Sequence, residues 1–282
     1  MIDSCIKKWI DSAEPDYFIL FVSAWIPFNA WYMTNFCNED ERRTSDRDII
    51  DYIKQCKMGE CPYKEKIITL LKGHSPVSHE FRNNLAQLHY ALRHRPIPNI
   101  DEGVSFAHVR VLDNNNPHIP FAIGDYTYKG EQNLTLPKTS PRYIFEVIRT
   151  DTMKTEHMVR LRKCSISELV TNEEFLSLPT DTIKEGVKKL VNELSPNKMD
   201  SLVVKETHDN DIGDVPPESF VLGEERKLYL VNNTDLIARA VIQLMYDLRC
   251  MLFHGEVIPC SDNSEIYRYA YKIQKILINN LI

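Results

Sequence analysis

Glycine is scarce in this chain, with nine residues in 282. A loop that wraps phosphate needs several glycines close together, so that backbone N–H groups can approach the anion. No stretch supplies them, and there is no Gly-x-Ser-x-Gly elbow. Paired cysteines are missing as well. Seven cysteines stand at positions 5, 37, 56, 61, 164, 250 and 260. Their number is odd and no two have CxxC spacing, which argues against a secreted disulfide framework and against a zinc ribbon. His74 and His79, or Cys56 and Cys61, lack metal-ligand spacing, and "GHSP" and "HEF" are not the HExxH helix. No cofactor and no metal is expected. There is no basic excess either: the net charge is -6. A nucleic-acid partner would therefore have to meet a local basic surface.

Long hydrophobic runs are absent but for one. "YFILFVSAWIPFNAWYM", residues 17–33, is shorter than the roughly 20 apolar residues that cross a bilayer. It is interrupted by Ser23, Pro27 and Asn29, and Asp11, Glu14 and Asp16 precede it where a signal peptide would be basic. The run reads as a buried core helix over about residues 16–35, kinked or restarted at Pro27. With no signal peptide and no disulfide framework, the expected location is a reducing cytoplasm, with no membrane partner.

What is present is helical punctuation at both ends of the chain. "NEDERRTSDRD" makes a loop and a helix start, with Ser45 or Asp46 as cap. "DIIDYIKQCK", "YKEKIITLLKG" (closed by Gly73) and "HEFRNNLAQLHYALRHR" (ended near Pro96 and Pro98) are amphipathic helices. The character changes after Pro98. "GVSFAHVRVLD" and "IPFAIGDYTY" read as strands, and "RYIFEVIRT" with "EHMVRLRKC" as a hairpin about "DTMK". "ISELVTNEEFLSL" and "DTIKEGVKKLVNEL" read as helices, and "SFVLGEERKLYLVN" as a second hairpin turning near Gly223. Thr234 or Asp235 caps the next helix, which carries the apolar stripe Ile237, Val241, Leu244, Leu248, Leu252. Gly255 sits where a helix C′ glycine belongs, with Pro259 shortly after. Asp262 and Glu265 resemble a capping box before the last helix. The expected fold class is α+β, mainly α. Residues 1–98 and 232–282 are expected to form one helical bundle, with residues 99–231 inserted as an α+β region.

"YDLRCMLFHGEVIP", residues 246–259, holds the chemistry-bearing pair. Arg249 and His254 are five positions apart, about 7.5 Å along a helix and well round its circumference. They cannot share one face of a regular helix. Fraying near Gly255, or a second copy of the chain, would be needed to bring them to one site. The bland reading is that Arg249 is a solvated cation near a helix C-terminus and His254 a helix-end residue. The chemical reading is metal-free RNA cleavage. Histidine can move a proton near neutral pH, and arginine can clamp phosphate oxygens through two donors. The 2′-hydroxyl would attack the adjacent phosphate, so DNA would be immune.

"YDLRCMLFHGE" resembles the Arg-x4-6-His signature of HEPN domains, in the version that reads roughly "Y.vR..LfHG". "FVSAWIPFNAWY" resembles the first helix of the same branch, "F..LWIAFNAWY". The resemblance covers about the first hundred and the last sixty residues. It implies a helical bundle that dimerises, acting in many relatives as a metal-independent ribonuclease in toxin–antitoxin, abortive-infection and CRISPR-associated systems. By resemblance Arg249 and His254 take the catalytic positions in a cleft shared by two copies. RNA is the implied substrate, and an antitoxin or regulatory protein an implied partner. Cys250 and Met251 stand where the family often has a polar residue, and Glu256 where a glycine or basic residue is common. These departures fit an alternative, a non-catalytic HEPN module that binds RNA or a protein. A third reading is an unrelated α+β enzyme in which Arg249 and His254 only end a helix.

The chain carries two further basic features. Arg82 and His89 also satisfy the loose spacing, but lie mid-helix without His-Gly, so a solvated helix face is the expectation. "RYIFEVIRTDTMKTEHMVRLRK" carries Arg142, Arg149, Lys154, Arg160, Arg162 and Lys163 with Tyr143 and Phe145 between them. Such a strand pair can hold single-stranded RNA, but alternation alone predicts an ordinary half-buried hairpin.

Overall fold

The computed structural model describes residues 15–41, 43–94, 104–111, 120–133, 135–137, 139–195, 199–207, 216–224, 226–279 and 281. The end of the helix near Pro96 and Pro98 and most of the polar loop before Ser219 lie outside them. The chain divides into two compact units: Met1–Val111 with Met199–Ile282, and Leu112–Lys198. Among the described residues there are nine helices and two small antiparallel sheets, a mixed α+β structure. No described helix is long and apolar enough to cross a membrane.

The first unit is built from both chain ends. Helix α1 (Tyr17–Phe36) starts at Asp16, whose carboxylate accepts the Phe18 and Ile19 amides at 3.0 and 3.1 Å. Its buried side chains, Phe21, Ala24, Trp25, Phe28 and Tyr32, recur at helical spacing. The helix does not restart at Pro27 but continues through it. Pro27 and Ser23 both lie on the exposed side, where water can satisfy the Ser23 carbonyl left without a donor. Helices α2 (Asp46–Gln55), α3 (Pro62–Lys72) and α4 (Pro76–His94) follow. Ser45, not Asp46, caps α2, its hydroxyl accepting the Asp48 amide at 3.2 Å.

Helices α8 (Thr234–Phe253) and α9 (Ser261–Ile278), from the C-terminal end of the chain, complete the helices of this unit. Asn233 caps α8 rather than Thr234 or Asp235, accepting the Leu236 amide at 3.0 Å. Asp235 instead pairs with Lys64 at 2.7 Å and Arg239 at 2.8 Å. Nearly every residue of α8 from Ile237 to Tyr246 is buried, so it is the central helix, with α2 and α3 packed on it. Helix α9 lies along α1 and α4. Tyr63 of α3 stacks on Phe28 of α1, ring centroids 4.0 Å apart.

The inserted unit holds strands β1 (Phe121–Ile123), β2 (Tyr126–Gln132), β3 (Tyr143–Arg149) and β4 (Thr155–Leu161), paired in chain order as a meander. Helices α5 (Ile166–Leu169), α6 (Glu173–Leu176) and α7 (Asp181–Leu194) complete it. The expected single helix over "ISELVTNEEFLSL" is thus two short ones, because Asn172 caps a fresh start by accepting the Phe175 amide at 3.0 Å. Tyr128, Phe145, Val159 and Leu161 face Ile183, Val187, Leu190 and Val191 of α7. A Cβ on Gly186 would sit 2.2 Å from the Tyr128 ring, so this close approach requires glycine.

The sheet of β5 (Val203–Glu206), β6 (Ser219–Leu222) and β7 (Leu228–Val231) has order β5-β7-β6. Leu202, Leu222, Leu228 and Leu230 enter the same core as the helices of the first unit. Residues 104–111, expected as a strand, make isolated bridges only, Ser105 to His108 and Val109 to Asp200. They also belong to the first unit, so the inserted unit is narrower than residues 99–231. Apolar alternation marks a strand as half-buried without saying which core it joins.

Candidate functional site

Helix α8 ends in a Schellman turn. The Glu256 amide donates to the Met251 carbonyl at 2.9 Å and the Gly255 amide to Leu252 at 3.3 Å. Gly255 has φ +68°, the left-handed value that glycine adopts without a Cβ clash. The His254 amide donates to the Cys250 carbonyl at 2.9 Å, so the backbone is tied down and does not fray before Gly255. The His254 side chain is exposed and bonds to none of the described residues.

Arg249 stands one turn earlier and is not solvated as the bland reading has it. Its Nη2 donates to Asp46 Oδ2 at 3.0 Å, and 20% of its side chain is exposed. Its guanidinium lies 4.5 Å from the centroid of the Phe253 ring, which is itself 54% exposed. Nη1 points at the Cys250 sulfur, a weak acceptor at 4.0 Å, and Nε is buried without a hydrogen bond. Arg249 therefore retains donors that a phosphate oxygen could take up. No hydrogen bond joins Arg249 to His254 within one chain, as their spacing on the helix requires.

Asp46 looks in the sequence like a possible cap only, and its partners come from two other helices, α1 and α8. Oδ1 accepts Tyr32 Oη at 3.0 Å and Asn29 Nδ2 at 3.3 Å, while Oδ2 takes Arg249. Asn29 Nδ2 also donates to Tyr32 Oη. Burial, reinforced by the Asp46 charge, pushes the Tyr32 phenol up to about 12 against the pull of Asn29 and Arg249, so it stays a neutral donor. Asn29 and Tyr32 lie in "FNAWY" of the N-terminal stretch. The two quoted motifs thus meet through a third residue.

A second polar cluster lies deeper between α2 and α8. Lys54 is fully buried, bonds to Asp51 at 2.7 Å and donates to Gln243 Oε1. Arg110 reaches Gln243 Oε1 at 3.3 Å and Asp51 at 3.4 Å. Gln243 Nε2 donates to Asp247 Oδ1 at 2.7 Å. Burial pushes Lys54 down to about 8 and the Asp247 carboxyl up to about 6, the latter against Gln243, Arg110, Lys54 and Arg47. The signal available in the sequence was polar residues on the apolar face of α8, which periodicity alone reads as exceptions.

The Asp247 shift has a measurable consequence. Its carboxyl has an ordinary value of 3.8 and a folded value of about 6. Between these the native state holds the extra proton, so stability falls as pH rises through that window, by roughly 2–3 kcal/mol. Asp247→Asn is expected to gain stability relative to the parent between pH 4 and pH 7. Urea midpoints at the two pH values check this, and an unchanged difference between the two proteins would count against it.

The other basic features are structural. Arg82 Nη1 caps the end of α3, donating to the carbonyls of Leu70, Leu71 and Gly73. His89 is fully buried against Glu206 at 3.2 Å, and burial holds its imidazole down at about 4. The pair is therefore not the solvated face expected. On the β3–β4 hairpin, Arg149 pairs with Asp151, Arg160 with Glu174 and Arg162 with Glu168, so three cations are offset by carboxylates. Among the described residues no three His, Cys, Asp or Glu side chains converge as a metal site. Comparison with family models, with curated proteins and with solved structures gives no match.

Proposed function

We propose that the chain is a HEPN-type endoribonuclease that cuts RNA without metal. The observation that carries this reading is the meeting of Asn29, Tyr32 and Arg249 on the Asp46 carboxylate. It joins two stretches, each resembling the family, that lie at opposite ends of the sequence. His254 moves the proton between the 2′-hydroxyl and the leaving 5′-oxygen. Arg249 stabilises charge gathering on the phosphoryl oxygens. The products are a 2′,3′-cyclic phosphate and a 5′-hydroxyl. Two copies would supply one cleft, since the pair diverges on a single helix. The role by resemblance is a cytoplasmic toxin or antiphage effector, held in check by an antitoxin or regulatory protein.

The non-catalytic alternative rests on Met251 and Glu256. Met251 is 3% exposed and packs in the core, so its apolar character follows from packing and bears little on the site. Glu256 is exposed beside His254 and remains the feature that favours a binding module. The test is incubation of purified protein with labelled mixed-sequence RNA in excess EDTA. Cleavage leaving cyclic phosphate ends is expected; intact RNA would transfer the reading to the binding module.

A further inference from the structure

Arg249 can stabilise a phosphate only if its guanidinium is held at the right place, and a helix backbone does not by itself hold a long side chain in one rotamer. The structure supplies the restraint from another helix. Asp46 is the first residue of α2, and because Ser45 already performs the capping, its carboxylate is free to turn towards α1 and α8. One oxygen is fixed by Tyr32 and Asn29, and the other faces Arg249 at 3.0 Å. Both members of the ion pair are only partly exposed, at 20% and 28% of their side chains, so the pair is screened less than a surface pair. Phe253 covers the guanidinium at 4.5 Å. The arginine is thus held at Nη2 and along its face, while the partner of Nη1 is the weakly accepting Cys250 sulfur at 4.0 Å.

We infer that Asp46 is a positioning residue: anchored by Tyr32 and Asn29, it holds the Arg249 fork with one edge presented to an RNA phosphate. This rests on the nuclease reading above. Asp46 touches neither substrate nor reacting atoms, and acts through Arg249 alone.

The test is a double-mutant cycle of Asp46→Ala and Arg249→Ala, read in two ways. One is the split between kcat and KM for RNA cleavage in EDTA. The other is the affinity for a 2′-O-methylated RNA of the same sequence, which cannot be cut. Asp46→Ala is expected to lower kcat by roughly 10- to 100-fold, the scale of a misplaced catalytic group. The double variant should be no worse than Arg249→Ala alone, and Asp46→Glu should recover part of the loss. Additive losses, or an unchanged kcat in Asp46→Ala, would overturn the inference. An inactive parent would overturn the nuclease reading while leaving the coupling measurable in affinity. In that case non-additive affinities support Asp46 as the residue that positions Arg249, and additive ones overturn it. Thermal midpoints of all variants separate these effects from loss of fold.

Discussion

Alanine at His254 is expected to lower the RNA cleavage rate by ~10²–10⁴, the range for removing a general acid or base. The fold should survive, because the His254 side chain is exposed and the helix end is held by backbone bonds from Gly255 and Glu256. Stability should change by less than about 0.5 kcal/mol, as for surface substitutions elsewhere. Arg249→Ala should lose about 10²–10³ in rate, as expected for one stabiliser of transition-state charge. Arg249→Lys should restore little, because a lysine cannot span Asp46 and a phosphate with a planar fork. Initial rates on a single labelled RNA, with thermal midpoints measured alongside, decide the matter. A His254→Ala protein that cuts as fast as its parent would remove His254 from the chemistry.

The largest loss of stability is expected from Gln243→Leu. Gln243 is 1% exposed and its amide serves three charged side chains: Lys54, Arg110 and Asp247. Leucine fits the volume but removes every one of these bonds. Lys54 then keeps Asp51 alone, and the Asp247 carboxylate loses its donor. Breaking a buried ionic network by removing one member costs about 3 kcal/mol or more. An exposed pair such as Lys188 with Glu185 should cost under about 1 kcal/mol when broken. No tryptophan lies in Leu112–Lys198, and Trp25, 3% exposed, and Trp31 are on α1, so their fluorescence follows the unit that holds Gln243. A urea midpoint little changed in Gln243→Leu would mean that water replaces the amide, and that the cluster is wetter than its burial implies.

Much of the fold was legible because its signals are local. The apolar run of α1, the apolar stripe of α8, the glycine after His254 and the cap at Ser45 each depend on residues within a turn or two. The placement of β5–β7 was not legible, since alternation does not say which core a strand joins. Whether Pro27 ends its helix was not legible for a related reason: its cost depends on whether the carbonyl it orphans reaches water, and that is set by the face it occupies.

The site divides in the same way. Arg249 and His254 could be picked out by residue type, spacing and the His-Gly ending, all written within ten residues. That Arg249 is held rather than solvated could not, because its partner Asp46 lies 203 residues away in the chain. Helix periodicity and capping are fixed by neighbouring residues, so the sequence alone determined where α8 ends and which side chains it offers there. Which charges meet depends on the path of the intervening chain and on the packing of α1, α2 and α8. Only the tertiary structure could turn an aspartate that looked like a helix cap into the anchor of the arginine.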